Sequence, residues 1–191
     1  VDVTGATEME YDAQTEQFRF RGPQVVVVRG TQRLTAPEIF YDASARRAVL
    51  PRGGTLSTPT MELSADRITA DLPSRHFLAE GNVAGRLLDE GVWARLSAAL
   101  LVADDRPDLR RAEASGNVVV TRNDEELRGD RVVYDRLTRR GTVEGNAVLT
   151  RASDRLSADR ITVHLDRNEV IADGHARIVA HPREGPQGAQ P

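Results

Sequence analysis

Leu156-Ser157-Ala158-Asp159-Arg160-Ile161-Thr162-Val163-His164-Leu165-Asp166, followed after a short turn by Gly174-His175-Ala176-Arg177-Ile178-Val179, is the last clean copy of a unit that recurs along the whole chain. Earlier copies open at Leu34, Leu63, Leu96 and Leu127, so successive openings up to Leu156 are separated by 29, 33, 31 and 29 residues. Such a step points to a repeat architecture, in which one supersecondary unit buries its apolar face only by stacking on its neighbours.

Working outward from that unit, its arms read as strands. Val143, Gly145, Ala147 and Leu149 share one parity, as do Ala112, Ala114, Gly116, Val118 and Val120, and a period of two marks a half-buried strand. The opening arm behaves differently: Leu156 and Ala158 lie on one parity, Ile161, Val163 and Leu165 on the other. The same phase switch occurs at Asp130-Arg131, Asp66-Arg67 and Pro37-Glu38. A bulge there would turn the inward face over and bend the strand from one layer to the next. The expected fold is therefore all-β, an elongated antiparallel β-jelly roll of about six bent hairpins of ~30 residues each.

Some stretches depart from the strict unit. Residues 1 to 30 form a degenerate first copy that ends in Val25-Val26-Val27-Val28, a quartet expected to be either buried on both faces or an edge strand prone to pairing. Pro51, Gly53-Gly54 and Pro59 predict an edge or bulge in the second unit. Asp105-Arg106-Pro107-Asp108 reads as a longer turn in the fourth, and the lone Trp93 as a local core plug. From His181 onward prolines and glycines lack any period, so residues 181–191 are expected to be a disordered tail beyond one domain covering 1–180.

Composition narrows the function. At 39% hydrophobic and 29% charged residues the chain has enough core material to fold. All 26 basic residues are Arg, net charge is -3, and acids alternate closely with arginines, so no basic block exists to bind nucleic acid by counterion release. Without Cys there is no disulfide or thiol chemistry. No apolar run approaches the ~20 residues of a membrane-spanning helix, so no transmembrane segment is expected. The chain begins at Val1 rather than Met, as expected where a signal peptide has been removed.

His76, His164, His175 and His181 lack ligand spacing, the acidic cluster from Asp104 to Asp108 lacks calcium-loop alternation, and no nucleophile, phosphate-loop or dinucleotide motif occurs. No metal, cofactor or enzymatic activity is expected. A carboxylate that recurs in every Ala-Asp-Arg copy belongs to a surface rather than to a catalytic pair.

The Leu-x-Ala-Asp-x-Ile pattern, the Tyr-Asp pairs Tyr41-Asp42 and Tyr134-Asp135, and the returns at Gly81-Asn82-Val83, Gly116-Asn117-Val118 and Gly145-Asn146-Ala147 together resemble the OstA-like family of lipopolysaccharide-transport proteins, over most of the chain. That resemblance implies a twisted, open-ended β-jelly roll whose interior takes acyl chains. It also implies a periplasmic location, lipopolysaccharide or another amphiphilic glycolipid as cargo, and head-to-tail association with further copies or with other OstA-like components.

Under that reading the lipid-facing set is Ile39, Leu63, Ile68, Val83, Leu101, Val118, Val120, Val132, Leu149, Ile161 and Val163. Aromatic residues are only 4% of the chain, and Gly and Ala often take the inward parity, which leaves room between the layers. If the layers instead close to the usual ~10 Å, the same residues are ordinary core and the protein is an envelope scaffold or interaction module with a dry interior. Arg46, Arg47, Arg75, Arg139 and Arg140 recur near hairpin turns and could line up as a headgroup-binding rim. The competing reading is a row of solvated turns paired with Asp42, Asp71, Asp104 and Asp135.

Overall fold

The computed structural model describes residues 2–89 and 91–180, all strand and turn. The predicted tail, 181–191, lies outside the described residues. In chain order the strands are β1 (Asp2–Thr4), β2 (Glu8–Asp12), β3 (Gln17–Arg29), β4 (Gln32–Asp42), β5 (Arg47–Leu50), β6 (Gly54–Thr58), β7 (Met61–Ala65) and β8 (Arg67–Asp71). They continue with β9 (His76–Asp89), β10 (Val92–Arg106), β11 (Leu109–Arg122), β12 (Glu125–Asp135), β13 (Arg140–Arg151), β14 (Asp154–His164), β15 (Glu169–Asp173) and β16 (Arg177–Val179). Every pairing is antiparallel, and one hydrogen-bonded path runs from β1 to β15. The all-β repeat expectation holds.

The sheet is creased along its middle. Each long strand gives one half to each of two layers, so β2, β5, β8 and β15 fall in the first layer and β1, β6, β7 and β16 in the second. The crease lies where the phase switch predicts it, but the extra residues sit on the facing strand. Between Glu144↔Arg160 and Ala147↔Ala158, β13 carries Gly145-Asn146 against the single Asp159 of β14. Both bulge residues take left-handed backbone, φ 72° and 51°, as Gly81-Asn82 and Gly116-Asn117 also do.

The motif Asp locks this step. Asn82 Nδ2 donates to Asp66 Oδ2 (2.8 Å) and Asn146 Nδ2 to Asp130 Oδ2 (3.0 Å), while His175 takes the Asn position beside Asp159 (2.8 Å). The Asp66 and Asp159 amides donate to the Gly81 and Gly174 carbonyls. A side chain on Gly145 would strike the Asp130 carboxylate, so the repeat needs Gly here for space as well as for φ. The fourth unit has Ala99 in place of Asp and lacks the clasp, although Gly116-Asn117 keeps the bend.

Two open alternatives are decided and two local expectations change. The Pro51–Gly54 stretch is not an edge: it breaks one arm into β5 and β6, both paired on two sides. The fourth unit has longer strands rather than a longer turn, since Arg106 and Leu109 flank a two-residue connection. Val25–Val28 is not at the edge, because β1 and β4 both pair with that half of β3; Val25 and Val26 are buried. Trp93 is no core plug. It is on the outer face, 38% exposed, under the Arg86 guanidinium at 4.7 Å from the ring centroid.

Candidate functional site

Along the crease the two layers are in close contact. Ile68, Val83, Val118 and Ile161 are all at most 2% exposed and line no cavity, so these four predicted lipid contacts are packed core beside the bend. Away from the crease the layers diverge, and the two halves of the chain do so to different extents.

In the N-terminal half the interior is filled. Phe18, Phe20, Tyr41 and Phe77 point inward together with Leu50, Leu56 and Leu63, and Tyr11 stacks on Phe18 with ring centroids 4.5 Å apart. A small cavity of about 260 Å³ remains there, touched by Ile39. Beyond it the inward side chains become smaller. From Met61 on β7 to Val170 on β15 a cleft of about 600 Å³ separates the layers. Seven interstrand steps make it roughly 30 Å long.

Six of the predicted residues line this cleft: Leu63, Leu101, Val120, Val132, Leu149 and Val163. Leu96, Ala112, Leu127 and Tyr134 join them, residues absent from the predicted set although they occupy the same inward parity. Parity was the signal for all ten, and it was equally present at Ile68, which is sealed. Its floor is apolar, and its second-layer lip carries Arg122, Glu125 and Arg151.

The turn arginines lie at the ends of the first-layer strands, and none of the five lines the cleft or the smaller cavity. Arg46, Arg75 and Arg139 each occupy the left-handed position of a turn, φ 51–52°, and Arg47 and Arg140 begin the next strand. The turns stack: the Arg46 carbonyl accepts from the Leu72 amide, that of Arg75 from Asp105, and that of Arg139 from Leu165. The Asp partners mostly serve the turns themselves. Asp42 accepts from the Ala45 amide (2.8 Å), Asp71 from Ser74, and Asp135 from Leu137 and Thr138, which holds the Asp42 and Asp71 carboxyls below their usual range. Asp71 also pairs with Arg47 at 3.5 Å, and Asp104 with His76 at 3.0 Å.

The outer face of the first layer carries ion-pair ladders. Glu38 is 6% exposed and held by Arg19 and Arg21, with Arg21 Nε at 3.0 Å, and these hydrogen bonds keep its carboxyl below the ordinary value. Further along, Glu113, Arg131, Glu144 and Arg160 alternate across four strands at 2.7–2.8 Å. They brace the sheet and face away from the cleft. Among the described residues no cluster of three metal-ligating side chains occurs, and no helix is long and apolar enough to cross a membrane.

This architecture defines a class: a creased, antiparallel repeat sheet that encloses an apolar trough. Its fold is similar to that of LptH, described as the LptA homologous periplasmic component of the conserved lipopolysaccharide transport device from Pseudomonas aeruginosa, with a TM-score of 0.57 and 13% identity over 64% of this chain and 95% of that one. At that identity the likeness is one of fold. No family model matches the sequence, and no curated protein matches it.

Proposed function

We propose that the protein is a non-enzymatic periplasmic carrier, one element of a bridge that shields the acyl chains of lipopolysaccharide or a related envelope glycolipid during transfer to the outer membrane. The observation that carries this reading is the cleft of about 600 Å³ between the layers, a volume typical of ligand sites and lined mainly by apolar side chains. Each acyl CH₂ removed from water there contributes ~0.8 kcal/mol, so chains are held without specific contacts. The fold likeness to LptH supports the same reading.

The finer parts follow from it. Leu63, Leu101, Val120, Val132, Leu149 and Val163 contact the chains, and Ile39, Ile68, Val83, Val118 and Ile161 hold the crease and the closed end. The stacked turns bearing Arg46, Arg47, Arg75, Arg139 and Arg140 form a cationic rim. Residues 1–180 act as one domain, a reading that the continuous sheet of the described residues supports. Both ends expose apolar side chains on edge strands, Met9 and Tyr11 at one and Ile171 and Ile178 at the other, which favours head-to-tail pairing with a second copy or another OstA-like component. A scaffold with a dry core fits only the closed N-terminal half.

Native mass spectrometry of the purified protein is expected to reveal bound amphiphile, and added lipopolysaccharide to displace a fluorescent fatty acid. Absence of both would sink the carrier reading.

A further inference from the structure

Arg122 closes β11 on the inward parity of Val118 and Val120, so its side chain enters the cleft at the second-layer lip. Its cross-strand neighbours are Ala94 on one side and Glu125 on the other. Ala94 offers no charge. Glu125 would be the natural counterion, but Arg151 lies opposite it on β13 and takes its Oε1 through both Nε and Nη2. Asp124, in the turn, is exposed and pairs with neither arginine among the described residues. Arg122 is left half-buried in the cleft with no hydrogen-bond or ion-pair partner among the described residues; buried Nε–H groups without an acceptor also occur at Arg106 and Arg110, but those arginines do not line the cleft.

A buried guanidinium donor without an acceptor is costly, and natural structures rarely leave one unless something else supplies the acceptor. The missing group must reach the lip from inside the cleft or from its mouth, because both strand neighbours are accounted for. An anionic group with paired oxygens matches an unpaired guanidinium best, because it supplies both the counter-charge and two acceptors. From these constraints we infer that Arg122 is the anchor for a phosphate or carboxylate group on the amphiphile whose chains occupy the cleft. This rests on the carrier reading and adds a polar end to it.

Calorimetric titration of the full chain with dodecyl phosphate, with dodecyl maltoside, each below its micelle concentration, and with inorganic phosphate tests this. Dodecyl phosphate is expected to bind more tightly than the maltoside. Arg122→Gln is expected to weaken dodecyl phosphate about tenfold and to leave the maltoside unchanged, as one charge-assisted hydrogen-bonded contact implies. Arg122→Lys should recover only part of the loss, and Arg155→Gln, an exposed arginine outside the cleft, should match wild type. If neither amphiphile binds, the carrier reading fails and the anchor with it. Equal binding of both amphiphiles, insensitive to Arg122→Gln, overturns the anchor while leaving the cleft. Inorganic phosphate binding as tightly as dodecyl phosphate, and dependent on Arg122, would assign the site to a free anion and overturn its lipid role.

Discussion

The two halves of the trough share one repeat and one crease but differ in what fills them. Residues 17–80 place four aromatic side chains inward, Phe18, Phe20, Tyr41 and Phe77, and they reduce the space between the layers to a cavity of about 260 Å³. From β10 onward Tyr134 is the one aromatic residue among those lining the cleft, and Ala94, Ala112, Ala114 and Gly141 take positions that bulky groups hold earlier. The crease differs as well: in the closed half β3 sets Gly22-Pro23-Gln24 against Pro37 and the second unit breaks between Leu50 and Gly54, whereas Gly81-Asn82, Gly116-Asn117 and Gly145-Asn146 form the later bends. Side-chain volume and the form of the bend change together between the halves, and the inward aromatic residues fill space that small side chains leave open.

The largest expected effect comes from truncating the closed half. Leu50→Ala, at a site with no exposure, should cost about 2–5 kcal/mol in urea unfolding. Leu149→Ala in the open half should cost less than ~1.5 kcal/mol, since its side chain already borders empty space, and should instead weaken amphiphile binding. Equal destabilisation at the two sites would mean that the cleft is closed in solution. Filling the trough sharpens the same contrast: Ala112→Phe is expected to reduce fatty-acid probe affinity at least tenfold while changing stability by no more than ~1 kcal/mol.

Smaller effects separate the bend from the filling. Asp130→Ala removes the acceptor of Asn146 and should cost about 1 kcal/mol by thermal or urea unfolding. The fourth unit offers the reverse experiment. Ala99→Asp places a carboxylate beside the left-handed Asn117, and a gain of about 0.5 kcal/mol is expected with lipid affinity unchanged.

The smallest effect is in the pH profile. Hydrogen bonds from arginines depress the folded-state pKa of Glu38 in the closed half and of Glu113 and Glu144 in the open half. Their stabilisation is then present in full above the unfolded glutamate value of about 4.3 and is lost as pH falls through the lower folded values. Glu38→Gln should lower stability above pH 6, where the wild-type ion pair is intact, and flatten the acid limb so that mutant and wild type converge at low pH. An unchanged limb would show that the pair is broken in solution.

Much of the fold could be read directly from the chain. The ~30-residue period and the alternation gave the hairpins, and the phase switch placed the crease at Asp66, Asp130 and Asp159. Its partner, the paired left-handed step on the return arm, was present as Gly-Asn but passed as ordinary alternation, because parity does not report the sign of φ. The site was legible only as a face. Leu149 and Ile68 follow the same inward pattern, yet one lines open space and the other is sealed.

By itself the sequence determined that this is an all-β repeat, where each strand bends, and which side chains face inward, because those properties depend on neighbours a few residues away or one period apart. Only the tertiary structure decided how far apart the layers stand, that Phe77 and Leu50 fill one half while Ala112 and Leu127 leave the other open, and that Arg151 takes the carboxylate Arg122 would otherwise use. Those outcomes depend on the summed volumes and charges of residues brought together across two layers, a sum that no single repeat contains.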